Sequence, residues 1–526
     1  MKISGFVLFI AFIAIPAYAQ SGGMGSMPGM DMTKGQPAKP TSSKKPAPKK
    51  PAPKRMSPAK PAAKSDTTMS GNPQTPASAN QPMPGMTMPG GQSVTQHPAP
   101  AEAVPASKAP MQGMEMKDMP GMAQAPAPAS ANQPMRMDMD GMNMTGLLGS
   151  YPMTREASGT SWQPDLAEHN GIHANAGPWD LMGHAMLWGV YDTQSGPRGS
   201  DKAFTPGMVM GMARRNFGDD DTLGFRAMLS PDPFMGKSGY PLLLATGETA
   251  NGTTPLVDRQ HPHDLFMELS STYSHKFDPH DSAFLYFGYP GEPALGPPAF
   301  MHRASGMNIP QAPITHHWLD STHITFGVLT GGFVHDDWKL EVSQFTGREP
   351  DQYRYNFDTP TFNSTSIRTS YNPDEHWSLQ ASWGNLKSPE QLDPTINENR
   401  YTASASYITR FGENSSVAAT VGWGLKDLSD GKLLNGVFLE AAYKPATGWT
   451  AFSRAEWEQN NEIDVTASVR SVGDLTVGGI RDWLVANHTK FGFGASYTFD
   501  FMPSAVTPIY GGNPHGAMVF TRLTLE

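Results

Sequence analysis

The chain has 526 residues, with 33 Met, 53 Gly, 49 Pro and no Cys, which excludes disulfides and thiolate metal sites. Its formal net charge of −9 is divided: residues 20–149 carry 13 basic against 7 acidic side chains, and residues 150–526 carry 25 against 41. An acidic body of net −16 repels phosphate and attracts cations, which excludes a nucleic-acid reader.

The N-terminus has the three parts of a secretory signal. Lys2 is the positive start, Phe6–Ile15 the apolar run and Ala17-Tyr18-Ala19 a small-x-small cleavage site, so the mature chain is expected to begin at Gln20. The run is too short for a spanning helix, and no later stretch is long enough, so any membrane crossing must be made by strands.

Residues 20–149 are rich in Pro, Ala, Lys, Gly, Ser and Met and almost free of branched or aromatic residues before Leu147. Such a segment buries too little apolar surface to offset its ordering entropy, and it is expected to be disordered. Lys44–Arg55 reads as an extended, polyproline-like basic spacer, and Pro76–Met83 recurs as Pro128–Met135. The methionines are clustered: Met24, Met27, Met30 and Met32; Met83, Met86 and Met88; Met111, Met114, Met116, Met119 and Met122; Met135, Met137, Met139, Met142 and Met144. A thioether is a soft, uncharged ligand that favours Cu(I) or Ag(I), and flexible spacers let several sulfurs converge on one ion. These clusters are expected to bind copper, Cu(I) by preference. Low-complexity drift and sticky hydrophobic contacts are the competing explanations.

Residues 150–526 alternate with a period of two. Trp338, Leu340 and Val342; Trp377, Leu379, Ala381 and Trp383; Tyr401, Ala403, Ala405 and Tyr407; and Phe491, Phe493, Ala495, Tyr497 and Phe499 interleave with small or polar residues. A soluble sandwich gives the same alternation. Aromatics at the ends of the apolar faces and strongly polar opposite faces favour an antiparallel outer-membrane β-barrel of about 14 strands. Gly288–Pro313 reads as an extended loop, and Leu525-Glu526 departs from the aromatic ending common in such barrels.

Twelve of the 16 His lie between His169 and His335. Met182, His184 and Met186 share one strand face, which should point into the lumen because a lipid-facing imidazole is unfavourable. Arg226 marks its same-face neighbour Met228 as luminal by the same argument. His261 and His263 sit beside Asp264 ahead of a strand near Leu265. His316, His317 and His323 precede a second strand, on which Ile324, Phe326 and Val328 should face lipid. Imidazole with thioether is a plausible copper ligand set; hydrogen bonding to Asp and Arg that braces loops is the plainer role for any one His. Gly236-Lys237-Ser238 lacks the rest of a phosphate-binding loop, and no nucleophile turn is present, so no enzyme is expected.

Tyr151–Trp162, Val257–Leu265 and Pro313–Asp320 resemble segments of a family of uncharacterised proteobacterial proteins. Its members look like outer-membrane barrels and are associated with copper and heavy-metal resistance loci; the resemblance covers most of 150–526. The plan of a Met-rich arm before an acidic barrel is also similar to the copper-resistance outer-membrane protein B family. These likenesses imply a copper-handling protein of the outer membrane with its arm in the periplasm. Outer-membrane lipid and periplasmic copper proteins are then its expected partners. A general solute porin, its basic spacer tethering an anionic surface, is the alternative.

Overall fold

The computed structural model describes residues 144–168, 171–412, 414–464 and 466–526. The signal segment and the methionine clusters up to Met142 lie outside them.

Small and polar residues alternating with apolar ones build long antiparallel strands: β1 (Ile172–Ala176), β2 (Trp179–Gln194), β3 (Asp201–Phe204), β4 (Gly207–Phe217) and β5 (Asp221–Leu229). After the hairpin β6 (Tyr240–Thr249) and β7 (Pro255–Gln260) come β8 (Phe266–Lys276), β9 (Asp281–Gly288), β10 (Val328–His335), β11 (Trp338–Phe345) and β12 (Ser364–Tyr371). The wall continues through β13 (Trp377–Leu386), β14 (Glu398–Arg410), β15 (Ser416–Leu428), β16 (Leu433–Ala446) and β17 (Trp449–Asn460). It ends with β18 (Arg470–Ala486), β19 (Thr489–Phe501) and β20 (His515–Leu525). β2 pairs with β4, β4 with β5 and β5 with β8, while β6 and β7 pair only with each other. Each strand from β8 on pairs with the next, and β20 returns to pair with β2, Leu525 opposite Ala185. β1 and β3 are short extensions along β2, so the closed wall has 16 strands.

Closure leaves the wall no unpaired strand edge. Its outer face is apolar and exposed, as at Leu285, Leu340, Val421, Leu439 and Val519. Trp338, Trp377, Trp449 and Trp483 ring one end, and Tyr191, Phe287, Trp457 and Phe501 ring the other. An apolar band between two aromatic girdles is the surface of an outer-membrane barrel facing hydrocarbon. The strands alternate sharply: on β17, outward Trp449, Ala451 and Trp457 interleave with buried Thr450, Arg454, Glu456 and Glu458.

The two ends differ. Residues 218–220, 336–337, 447–448 and 487–488 make tight turns at one end, where β2 begins and β20 ends. The opposite end carries long connections, above all 230–265 and 289–327. In outer-membrane barrels the short turns face the periplasm. Both long connections fold back into the lumen. Leu242, Leu243 and Leu244 of β6 pack with Ile309 and Ile314 against Trp188, Phe452 and Phe520 of the wall. From the short-turn end residues 144–168 enter as well: Leu147, Leu148, Tyr151 and Trp162 pack on Phe284 and Val334. Arg155 binds Asp165 through two hydrogen bonds of 2.7 and 2.8 Å.

Several expectations are corrected. The 16 strands of the wall stand at the upper limit of the expected 14 within about two, because a strand such as β12 places only Ile367 and Tyr371, among threonines, on its outer face. Leu147 and Leu148, just ahead of the expected boundary at 150, pack in a luminal core. Gly288–Pro313 is folded, not extended. Ile324, Phe326 and Val328 are buried; the strand begins only at Val328, and Leu329 is the residue that faces outward. Lipid and a filled lumen both accept apolar side chains, so alternation could not separate them.

An arginine placed on the hydrocarbon-facing wall tests this assignment. Leu439→Arg, near the middle of β16, should lower stability by about 2–4 kcal/mol in denaturant unfolding from liposomes.

Candidate metal centre

The two luminal connections bring five predicted histidines together. His261 and His263 leave β7 on the first. His316 and His317 open a one-turn helix, α1 (His316–Leu319), on the second, and His323 follows in a 3-10 turn. Ring centroids lie 5.0 Å apart for His263 and His323, and 5.1 Å for His316 and His323. His316 and His317 are 5.5 Å apart, as are His261 and His317. Two imidazoles sharing one ion at a metal–nitrogen distance of about 2.0 Å have centroids roughly 5 Å apart.

Each of these rings has an oxygen near Nδ1, and in His316, His317 and His323 it is hydrogen-bonded. Nδ1–H of His316 donates to the Asp320 carboxylate at 2.8 Å, and that of His323 to the Asp320 carbonyl at 2.7 Å. His263 faces Asp232 at 3.0 Å, His261 faces Glu248 at 3.3 Å, and His317 donates to Glu349 at 3.2 Å. For His316, His317 and His323 the partner at Nδ1 is an ionised carboxylate or a carbonyl, which only accepts, so Nδ1 carries the proton, and in neutral His316 and His323 the lone pair lies on Nε2. All five Nε2 atoms are buried without a protein hydrogen-bond partner. Metal-binding imidazoles are oriented in the same way, by an oxygen on the second nitrogen.

Burial lowers His261, His316 and His323, which keeps them neutral near pH 7. His317 differs. Burial opposes its charge, but the Glu349 carboxylate outweighs it and raises the ring to about 9. Glu349 is held well below the carboxylate range by His317, whereas burial and Glu349 push Glu390 up to about 7. His317, Glu349 and Glu390 each offer a ligand atom within 4.8 Å of the other two. A cation there would displace the His317 proton.

The wall holds this cluster in place. Trp318 lies in a slot floored by the cross-strand pair Gly424 and Gly436, where an added Cβ would fall 2.2 and 2.8 Å from its atoms; its indole N–H donates to the Leu434 carbonyl at 3.1 Å. Arg303 donates to Asp320 at 2.7 Å and to both oxygens of Glu440 on β16 at 2.9 and 2.8 Å. Arg454 on β17 shares Glu440 at 2.9 Å.

Met182, His184 and Met186 face the lumen from β2, as expected, and stand opposite Met212, Met210 and Met208 of β4. Met228 is buried in the same methionine cluster, beside Met208 and Met210. Met144 lines a small cavity with Met153, Met182 and Met212. The other tail methionines, from Met24 to Met142, lie outside the described residues.

No protein-family profile and no curated protein matches the sequence. Among solved structures the chain is similar to Salmonella typhi OmpF in complex with daunomycin, at 10% identity over 67% of this chain and 100% of that one, with a TM-score of 0.45. It is similar to an anion-selective porin from Comamonas acidovorans, at 11% identity over 66% and 100% with a TM-score of 0.39. The outer-membrane channel DcaP of Acinetobacter baumannii is similar at 11% identity over 67% and 100%, with a TM-score of 0.38.

Sequence reasoning missed Met208, Met210 and Met212, although their spacing repeats that of Met182, His184 and Met186. It set Asp320 beside His316 and His317, but missed Asp232, Glu248, Glu349 and Glu390 around the rings. The methionines had a usable signal; Asp232, Glu248, Glu349 and Glu390, which only folding brings in, had none.

Removing Arg303 should undo the docking. Arg303→Met strands Asp320 without its guanidinium and leaves Glu440 to Arg454 alone, at a cost of about 3–5 kcal/mol. Limited proteolysis should then cut within 289–327 while the barrel resists.

Proposed function

We propose that this outer-membrane barrel handles copper: its methionine-rich arm captures Cu(I) in the periplasm, and the barrel sequesters the ion or passes it outward. The observation that carries this reading is the group of five buried imidazoles, His316, His317 and His323 among them hydrogen-bonded at Nδ1 and all five with Nε2 buried without a protein partner. Imidazole and thioether are borderline and soft donors that suit copper better than Mg²⁺ or Ca²⁺. The acidic body supports the reading too, since it concentrates cations at its mouths.

A second reading keeps the barrel as a solute channel. The 16-stranded wall favours it, because barrels of that size leave an aqueous channel when nothing fills them. Here the folded connections occupy that space, so passage would require them to move. The basic Lys44–Arg55 spacer would then tether an anionic surface.

Elemental analysis of the detergent-extracted full chain, together with bilayer conductance, separates the two. Bound copper that falls in a His263→Gln/His323→Gln variant of unchanged β-sheet circular dichroism supports copper handling, and Met→Ile changes in the arm should lower Cu(I) uptake further. A copper-free protein with a large pore indifferent to copper refutes it and favours the channel.

A further inference from the structure

The histidine cluster does not use the methionines of the wall. On β2 and β4 they form three rungs across the strand pair: Met182 opposite Met212, His184 opposite Met210, and Met186 opposite Met208. Side chains directly opposite stand about 5 Å apart at Cβ, and successive rungs on one face are roughly 7 Å apart. A thioether can therefore pass a bound ion to the next rung without a large movement of backbone.

Methionine is also a pliable filler of cores, and Met267, wholly buried nearby, has that role. The rungs differ because they line open space. All six of their side chains border a cavity of about 360 Å³ that also touches Ser415, Thr447 and Glu526 at the short-turn end. Nε2 of His184 is buried there without a hydrogen-bond partner. The cavity around Met144 and Met153 borders the Met182–Met212 rung, at the point where the arm joins the barrel. Beyond the far rung, a cavity of about 40 Å³ is lined by Met186 and Met208 together with His261 and His263. Soft donors thus run from the root of the arm to the imidazole cluster.

We propose that the methionine-lined chamber of β2 and β4 is a separate intake site for a soft monovalent cation, Cu(I) or Ag(I), which receives the ion from the arm and delivers it toward His261 and His263. Each transfer exchanges one thioether or imidazole for another, with no change in oxidation state. The inference rests on the reading of the lumen as a metal-handling space, but it concerns different residues.

The test is Ag(I) titration of the full-length protein in detergent, with sulfur neighbours of the silver counted by X-ray absorption. Met208→Leu/Met210→Leu/Met212→Leu keeps apolar volume and removes the sulfurs on β4. The arm is identical in parent and variant, so their difference reports the chamber. The variant should bind fewer Ag(I) ions per chain and lose sulfur scattering. Equal uptake by parent and variant overturns the chamber as a site. If the triple variant fails to fold, Met210→Leu alone, opposite His184, should weaken Ag(I) binding, and unchanged binding overturns the inference equally. None of these variants touches His263 or His323, so a failure here leaves the copper loss expected of the His263→Gln/His323→Gln variant as an independent result.

Discussion

The lumen depends on one buried charge network, Glu440 with Arg303, Arg454 and Asp320. Burying ions is costly, and the cost is offset only when each charge meets partners of good geometry. Here one wall carboxylate accepts from two guanidinium groups, and Arg303 carries the connection to Asp320 on the luminal segment. Asp320 then orients two rings, His316 through its carboxylate and His323 through its carbonyl. The positions of these imidazoles are therefore set by the wall, across more than a hundred residues of sequence.

That coupling follows from the two solvents of the barrel. Outside, hydrocarbon rejects charge and selects Leu, Val and the aromatic girdles. Inside, the strands present Ser, Thr, Arg and Glu, which need partners once a folded segment displaces water. The luminal connections meet that need with side chains of opposite sign: Arg303 contacts Glu440 of β16, and Glu292 lies 4.0 Å from Arg368 of β12. A plug of this kind is positioned by polar complementarity and by a few apolar anchors, Trp318 in its glycine-floored slot among them.

The wall was legible in the sequence because a strand exposed to lipid on one side must alternate. The same rule misread Ile324, Phe326 and Val328, whose spacing fits a strand while their surroundings are the barrel interior. β12 was hard to see for the opposite reason, since threonines occupy much of its outer face. Met182, His184 and Met186 were placed correctly by the cost of an imidazole in lipid. The grouping of His261 with His317, or of His317 with Glu349 and Glu390, depends on how two connections cross in the lumen. No local pattern encodes that crossing.

The free Nε2 atoms bear most directly on what the lumen is for. A buried polar atom without a partner costs about 1–3 kcal/mol, and the net stability of a folded domain is only about 5–15 kcal/mol. Five such nitrogens stand in one cluster. Water can serve some of them, yet each water has only two hydrogens and must also find acceptors and donors of its own. A cation needs only lone pairs, and the neutral rings of His316 and His323, pinned at Nδ1, offer them on Nε2. His317 fits the same argument from the other side: its proton already supplies the positive charge between Glu349 and Glu390 that a metal ion would bring.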